Sequence, residues 1–399
     1  MKDYGKLVEE GIEYIFKNYG EYFDDRSYLS ISKKYKKLIE FSFPGIGSTN
    51  LSEGDFLNLI EELKDFKGPF NNSYSTKSKR FFQVEFLYSS GFVTSRFDDL
   101  FDEKDIHQIV LKDNLSKYWN DYKVSIEFDS IYTKFIKISQ GEYDSKHHVI
   151  FDFESYVVVE CDSSKGRDFK KEEELFYVYL YEVLEETGLE IIPWSNSEIK
   201  NEFNFNRFKP EISAKYDRVI GLFISALKLK GNSIQFLEFY KVIENIGVYL
   251  LKRNEANELV SILSDRKIDD NLDDLVRKVV DVFYSNKKRK NYDRELPKIV
   301  IAELDFKSLI DILPIKTRKK ILHNENCHSF ERIGSSKEGD IIKKLADSIS
   351  TIRNEIAHAK SNYREPSSYK LFDVNDIVEI NIFMKKVCLK IIRSYLSDK

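Results

Sequence analysis

The sequence predicts an α+β protein: a mixed α/β domain with a mainly antiparallel sheet over residues 1–205, then an all-α helical bundle over residues 206–399. Three observations carry that division. Between about residues 80 and 160, apolar and polar residues alternate with a period of two, as in strands with one buried face. After residue 210 the apolar positions recur at three- and four-residue steps, which is the helical period. Between the two regimes, residues 193–210 run from Pro193-Trp194-Ser195-Asn196-Ser197 to Arg207-Phe208-Lys209-Pro210, a composition rich in Asn, Ser and Pro that marks a boundary.

The elements of the first half follow in order. Leu7, Ile12, Ile15 and Phe16 predict a helix over 4–24, and residues 31–40 read as a second, shorter one. Pro44-Gly45-Ile46-Gly47-Ser48-Thr49-Asn50 has glycines spaced to cradle a phosphate. No clear strand precedes it and no Lys follows in register, so it reads as a turn that ends by capping the next helix. That helix is expected near 52–65, with Ser52 as cap and Phe56, Leu57, Ile60 and Leu63 inside. Strands are expected at 80–88, 123–128, 132–139 and 148–160, with spacings that fit antiparallel pairing better than βαβ units. A helix over 172–187 closes the domain.

In the second half, Tyr216, Val219, Ile220, Phe223, Ala226 and Leu227 form one helix, ended by Gly231-Asn232. Ser233 is expected to cap the next, whose main stripe is Phe236, Phe239, Ile243, Ile246 and Leu250. A second lane of that helix reads Leu237, Tyr240, Glu244, Val248, Leu251, so Glu244 is a carboxylate in an apolar row; once buried it needs a cationic or hydrogen-bonding partner. Helices near 254–265 and 270–285 follow. After the Gly334–Gly339 connection, Ile342, Leu345, Ile349, Ile352 and Ile356 make the stripe of a long helix. The last helix carries Ile377, Ile380, Met384, Val387, Ile391 and Tyr395, and is expected to pack antiparallel to its predecessor or against another subunit.

Composition narrows the function classes. A net charge of −4 excludes a protein that coats nucleic acid through bulk positive charge, but leaves room for a local basic site. The three cysteines, Cys161, Cys327 and Cys388, are odd in number and far apart, which argues against a disulfide framework and for a reducing cytoplasm. No run approaches the ~18 apolar residues of a membrane span, and the charged N-terminus has no signal-peptide core.

The stretch that carries chemistry is Ser350-Thr351-Ile352-Arg353-Asn354-Glu355-Ile356-Ala357-His358. At ~100° per residue, Arg353 falls on the flank of the apolar stripe, while Asn354 and His358, four apart, share the opposite face. Arg-Asn-x-x-x-His on a late helix of a helical domain resembles the HEPN superfamily, whose signature is Arg, four to six residues, then His. Phe236-Leu237-Glu238-Phe239-Tyr240-Lys241-Val242-Ile243-Glu244 is similar to the aromatic-rich second helix of Abi-type and Apea-like HEPN domains, which carries a Glu at this place. An ordinary Glu on the edge of a half-exposed helix gives the same pattern. The resemblance covers the second half of the chain; the first half resembles no family.

The resemblance implies metal-independent RNA cleavage, with no cofactor and no metal, by attack of a ribose 2′-hydroxyl on the adjacent phosphate. His358 would serve as acid or base, Arg353 would hold the phosphate, Asn354 would orient His358 or donate to phosphate, and Glu244 would position Arg353. One His cannot easily act at both ends of an in-line displacement, so a composite site at a homodimer interface is expected. The same resemblance implies a toxin or anti-phage (abortive infection) effector, whose partners would be RNA and a phage-derived trigger or an antitoxin.

Two basic runs are candidate RNA contacts: Lys287, Lys288, Arg289 and Lys290, and Lys316, Arg318, Lys319 and Lys320. Two other readings compete with a HEPN nuclease. A non-catalytic HEPN-like module would bind RNA or nucleotides, or only dimerise. A metal-dependent nuclease would use Asp152 and Glu154, although alternation along a strand produces Asp-x-Glu without a site. His147-His148 could be ligands but read better as a polar strand entry, and the segment from His323 to Cys327 and His328 is metal-capable, but no second cluster completes a tetrahedral site.

Overall fold

The computed structural model describes residues 4–19, 30–34, 38–43, 47–70, 73–86, 115–128, 130–139, 143–144, 149–150, 155–162, 164, 166–193, 209, 211–229, 231–264, 274–280, 292–358 and 371–398. The protein is α+β: an antiparallel sheet with helices comes first and a mostly helical region follows. The chain divides into two compact units, Met1–Tyr216 and Asp217–Lys399.

In the first unit, helices α1 (Tyr4–Tyr19) and α2 (Glu53–Lys64) pack together beside a three-stranded antiparallel sheet, β1 (Ser30–Lys34), β2 (Leu38–Phe43) and β3 (Gly47–Ser52). Ser52 caps α2, its hydroxyl accepting from the Asp55 amide at 3.1 Å, as expected of a serine before an apolar periodic run. Val8, Ile15 and Tyr19 of α1 meet Phe56, Leu59, Ile60 and Leu63 of α2 in one core.

The main sheet runs β4 (Lys67–Phe70), β5 (Ser73–Ser75), β6 (Lys79–Phe86), β11 (Ser155–Cys161), β8 (Tyr122–Phe128), β7 (Lys117–Trp119), with β12 (Ile191–Pro193) also paired to β6. Every pairing is antiparallel. A short β9–β10 pair (Tyr143–Asp144 with Val149–Ile150) lies apart from it. Central strand β11 is buried on both faces, so Tyr156, Val157, Val158 and Val159 form an unbroken apolar run. Tyr156 and Val158 join Tyr74, Phe81 and Ile136 on one face. On the other, Val157 stands opposite Phe82, whose ring stacks on Phe176 of helix α4 (Phe169–Thr187) at 4.3 Å.

Polar side chains fasten α4 to its surroundings. The fully buried Lys117 ammonium lies 3.1 Å from Glu182 and 3.0 Å from Glu186. Glu182 also accepts from the Ser213 and Ala214 amides at 2.8 and 2.6 Å. At the other end of α4, Glu172 is buried against Arg167 at 2.7 Å. A buried carboxylate is tolerated only when paired in this way.

Three sequence expectations in this unit fail, each for a local reason. Residues 31–34 and 38–40 are strand, not helix: Ile39 and Phe41 follow the period of two, and Ile31 pairs with Phe41 across β1–β2. Residues 47–50 belong to strand β3, not to a turn, because they pair with β2 up to Ser52. Residues 132–139 are helix α3 (Ile131–Ser139), not a strand. Ser130 starts it by accepting the Thr133 amide at 3.2 Å, and Ile131 and Phe135, four apart, share its buried side. There capping overrides the β-propensity of Ile, Tyr and Thr. In the expected 148–160 strand, β10 and β11 occupy 149–150 and 155–161, while Asp152 and Glu154 lie outside the described residues.

The second unit is built around α6 (Ser233–Ser264), which contacts α5 (Arg218–Leu227), α7 (Tyr292–Ala302), α10 (Ser335–His358) and α11 (Ile377–Ser397). Its expected stripe, Phe236, Phe239, Ile243, Ile246 and Leu250, is buried throughout. The helices expected at 233–250 and 254–265 are one: nothing in Lys252-Arg253-Asn254-Glu255 breaks the period, and the hydrogen-bonded turn continues. Its cap is Asn232, whose Oδ1 accepts from the Gln235 amide at 2.9 Å, in place of the expected Ser233. Helices α6 and α7 approach so closely at Gly247 that a Cβ there would sit 2.9 Å from the Leu296 Cβ, which is why this position has no side chain. Short helices α8 (Phe306–Ile312) and α9 (Ile315–Asn324) follow.

Helix α10 packs on α7 and α6 through Ile341, Leu345, Ile349 and Ile352; Ile341, not the expected Ile342, is the buried member of its early turns. Helix α11 packs on α6, α5 and α8 through Ile380, Met384, Val387, Ile391 and Tyr395. The three cysteines are free, and burial pushes the Cys161 and Cys388 thiols up. Among the described residues no helix is long and apolar enough to cross a membrane.

Candidate active site

Arg353 sits five residues before the end of α10, directly after the buried Ile352, so its side chain leaves the helix at the margin of the packed stripe. This placement aims it at the second lane of α6. Its Nη2 lies 3.8 Å from Glu244 Oε1. Its guanidinium carbon stands 5.7 Å from the centre of the Tyr240 ring, a cation–π distance. Its Nη1 donates to Asn354 Oδ1 at 3.1 Å. Tyr240 and Glu244 are one turn apart on α6, so a single helix face offers the guanidinium both an aromatic face and a carboxylate.

The three contacts differ in weight. Tyr240 is buried and its ring lies 6.3 Å from that of Phe236, so it is a fixed floor. The Arg353–Glu244 pair is half-buried and long, and a pair of that kind adds little to stability. Its effect is orientation: Glu244 and Asn354 set the plane of a guanidinium whose fork suits a phosphate. His358 is the last residue of α10, one turn beyond Asn354.

The structure therefore brings together Arg353, Asn354 and Glu244, three of the four residues singled out for catalysis, and places the fourth, His358, on the same helix. Sequence reasoning missed the part played by Tyr240. Its signal was present: an aromatic one turn before a lone carboxylate, in a lane that has to meet a cation.

The second basic run is largely bonded within the protein. Lys316 pairs with Asp376 at 2.6 Å, and that hydrogen bond raises its pKa. Arg318 donates to the Asp311 carbonyl, and Lys320 reaches the Leu371 carbonyl at 3.4 Å. Lys319 is exposed. Lys287, Lys288, Arg289 and Lys290 lie outside the described residues, as do His147 and His148. His323 and His328 are exposed on and just after α9. Among the described residues, no group of three or more His, Cys, Asp or Glu side chains is placed to hold a metal ion.

Compared with protein-family models, with curated proteins and with solved structures, the chain has no match in any of the three.

Proposed function

We propose that this protein is a metal-independent endoribonuclease of HEPN type, with a composite site built from the 353–358 stretches of two copies, and that it acts as a toxin or anti-phage effector. The observation that carries the reading is the seating of Arg353 against Glu244, Asn354 and Tyr240. A motif match alone would leave Arg353 free to be a solvated helix-end cation. Here two helices hold it, in a sequence that places a His five residues later.

The chemistry follows from the residue types. A neutral His358 accepts the proton of a ribose 2′-hydroxyl, and the oxygen attacks the adjacent phosphorus. The bond from phosphorus to the 5′-oxygen breaks, and the protonated His358 of the second copy gives that oxygen a proton. The products are a 2′,3′-cyclic phosphate and a 5′-hydroxyl. Arg353 offsets the charge that builds on the equatorial oxygens of the pentavalent transition state. A histidine with a pKa near neutrality supplies both protonation states at pH 7.

The test is RNA cleavage in excess EDTA by wild type and Arg353→Ala. Wild type is expected to cut single-stranded RNA, and Arg353→Ala to cut at least about 100-fold more slowly, the range for losing a preorganised donor to a developing anion. Equal rates for the two proteins would remove Arg353 from the site. Retained RNA binding without cleavage by wild type would favour a binding module instead.

A further inference from the structure

In the first unit, a ladder of rings and guanidinium groups runs out of the core and stops at the surface. Phe176 of α4 stacks on Phe82 of β6 at 4.3 Å. Arg80, two residues before Phe82, shares its face of the strand, and its guanidinium carbon lies 4.6 Å from the centre of the Phe82 ring. The same carbon lies 5.6 Å from the ring of Phe169, the first residue of α4. Arg167 adds a second guanidinium 4.8 Å from the Phe169 ring. Phe169 is 54% exposed. A ring that open, at the end of a ladder, has surface to give to another planar group.

Charge points to what that group carries. Arg80 is 8% exposed, and no carboxylate of the described residues comes within ion-pair distance of it. Its hydrogen bonds go to neutral acceptors, the Ser73 hydroxyl at 3.3 Å and the Phe169 carbonyl at 2.8 Å. Arg167 takes both oxygens of the buried Glu172, at 2.9 and 2.7 Å. Burial pushes the Arg80 pKa down, and the fields of Glu172 and Glu173 offset that only in part. Two guanidinium groups and one buried carboxylate leave a net positive charge beside an open ring, which favours an incoming anion.

Most acids at this end of α4 are committed. Asp168 caps the helix by accepting the Lys170 and Lys171 amides, and Glu174 faces the ammonium groups of the same two lysines. Glu173, one turn on from Phe169, is exposed and has no such commitment. An open ring beside an unmatched guanidinium suits a nucleotide, with the base on the ring and the phosphate on the cation.

We propose that Phe169 and Arg80 form a platform for single-stranded RNA on the first unit, with a base stacked on Phe169 and its phosphate facing Arg80. Lys171, 4.0 Å from the centre of the Trp119 ring, and the exposed Lys170 extend the cationic side of the same helix end. The choice of RNA over a free nucleotide rests on the ribonuclease reading.

The test is fluorescence anisotropy of a labelled 2′-O-methyl oligoribonucleotide. It has no 2′-hydroxyl to attack, so binding is read apart from cleavage. Wild type is expected to bind, and Phe169→Ala to bind at least about fivefold more weakly, the usual loss for one stacked base. Phe169→Tyr keeps the ring and is expected to keep the affinity. Glu173→Gln removes a like charge and is expected to bind about twofold more tightly at low salt. Unchanged thermal unfolding of the variants separates binding from folding. Phe169→Ala that binds as tightly as wild type, Glu173→Gln that binds more weakly, or a wild type that does not bind would each overturn the proposal. So would adenosine monophosphate that competes as well as the strand at equal nucleotide concentration. Ring-dependent binding by a protein that cuts no RNA would support the platform while removing the ribonuclease reading, so the two fail separately.

Discussion

Replacing His358 by Ala is expected to lower RNA cleavage by about 100- to 10,000-fold, the usual consequence of losing a positioned acid/base group. The upper part of that range is expected, because in a composite site of two identical copies the same substitution removes both the base and the acid. The protein should remain folded. His358 is the terminal residue of α10, beyond the buried stripe of Leu345, Ile349 and Ile352. Initial cleavage rates in EDTA, alongside a thermal melt, check both parts. A His358→Ala protein that cuts as fast as wild type would place the chemistry elsewhere.

The second large effect belongs to stability. Lys117→Met is expected to cost the first unit about 3–5 kcal/mol, because it leaves buried carboxylates without their cation. Glu182 and Glu186, one turn apart on α4, share that single fully buried ammonium. Without it, two negative charges would face each other in a dry site, or one would have to take up a proton. Both tryptophans, Trp119 and Trp194, fall in the unit Met1–Tyr216, so tryptophan fluorescence in urea reports on it alone. At about 3 kcal/mol per molar urea, the midpoint should fall by about 1 M or more. A midpoint within about 0.2 M of wild type would show that the network contributes no net stability.

Where the sequence was legible, one periodic signal dominated. The α6 stripe, the α11 stripe and strands β6 and β8 follow from spacing alone, because their buried residues recur at the period of the element that holds them. The misread elements lacked that dominance. In residues 31–40 the four lysines among Ile31, Leu38 and Ile39 blur a period of two. At 131–139, β-branched and aromatic residues sit in a helix whose start is decided by the Ser130 side chain. The join at 252–255 was misread because α6 leaves its core there and the polar stretch 252–258 interrupts the apolar pattern without interrupting the helix.

The candidate site was partly legible for a related reason. Arg353 and Glu244 each announced themselves as a charge at the margin of an apolar row, and two such charges on packed helices tend to meet. Tyr240 was hidden because an aromatic in an apolar lane reads as core, which it also is. The buried Lys117 was not legible, since nothing local distinguishes a lysine on a short strand from a solvated one; its partners lie 65 and 69 residues away.

The central claim is that the Arg353 site cleaves RNA by attack of the 2′-hydroxyl, without metal. The most direct measurement is the chemistry of the fragment ends made by purified protein in excess EDTA. The account predicts 2′,3′-cyclic phosphate and 5′-hydroxyl ends, and no cutting of a substrate whose scissile nucleotide is 2′-deoxy. Fragments with 5′-phosphate and 3′-hydroxyl ends, formed only when Mg²⁺ or Mn²⁺ is added, would contradict it.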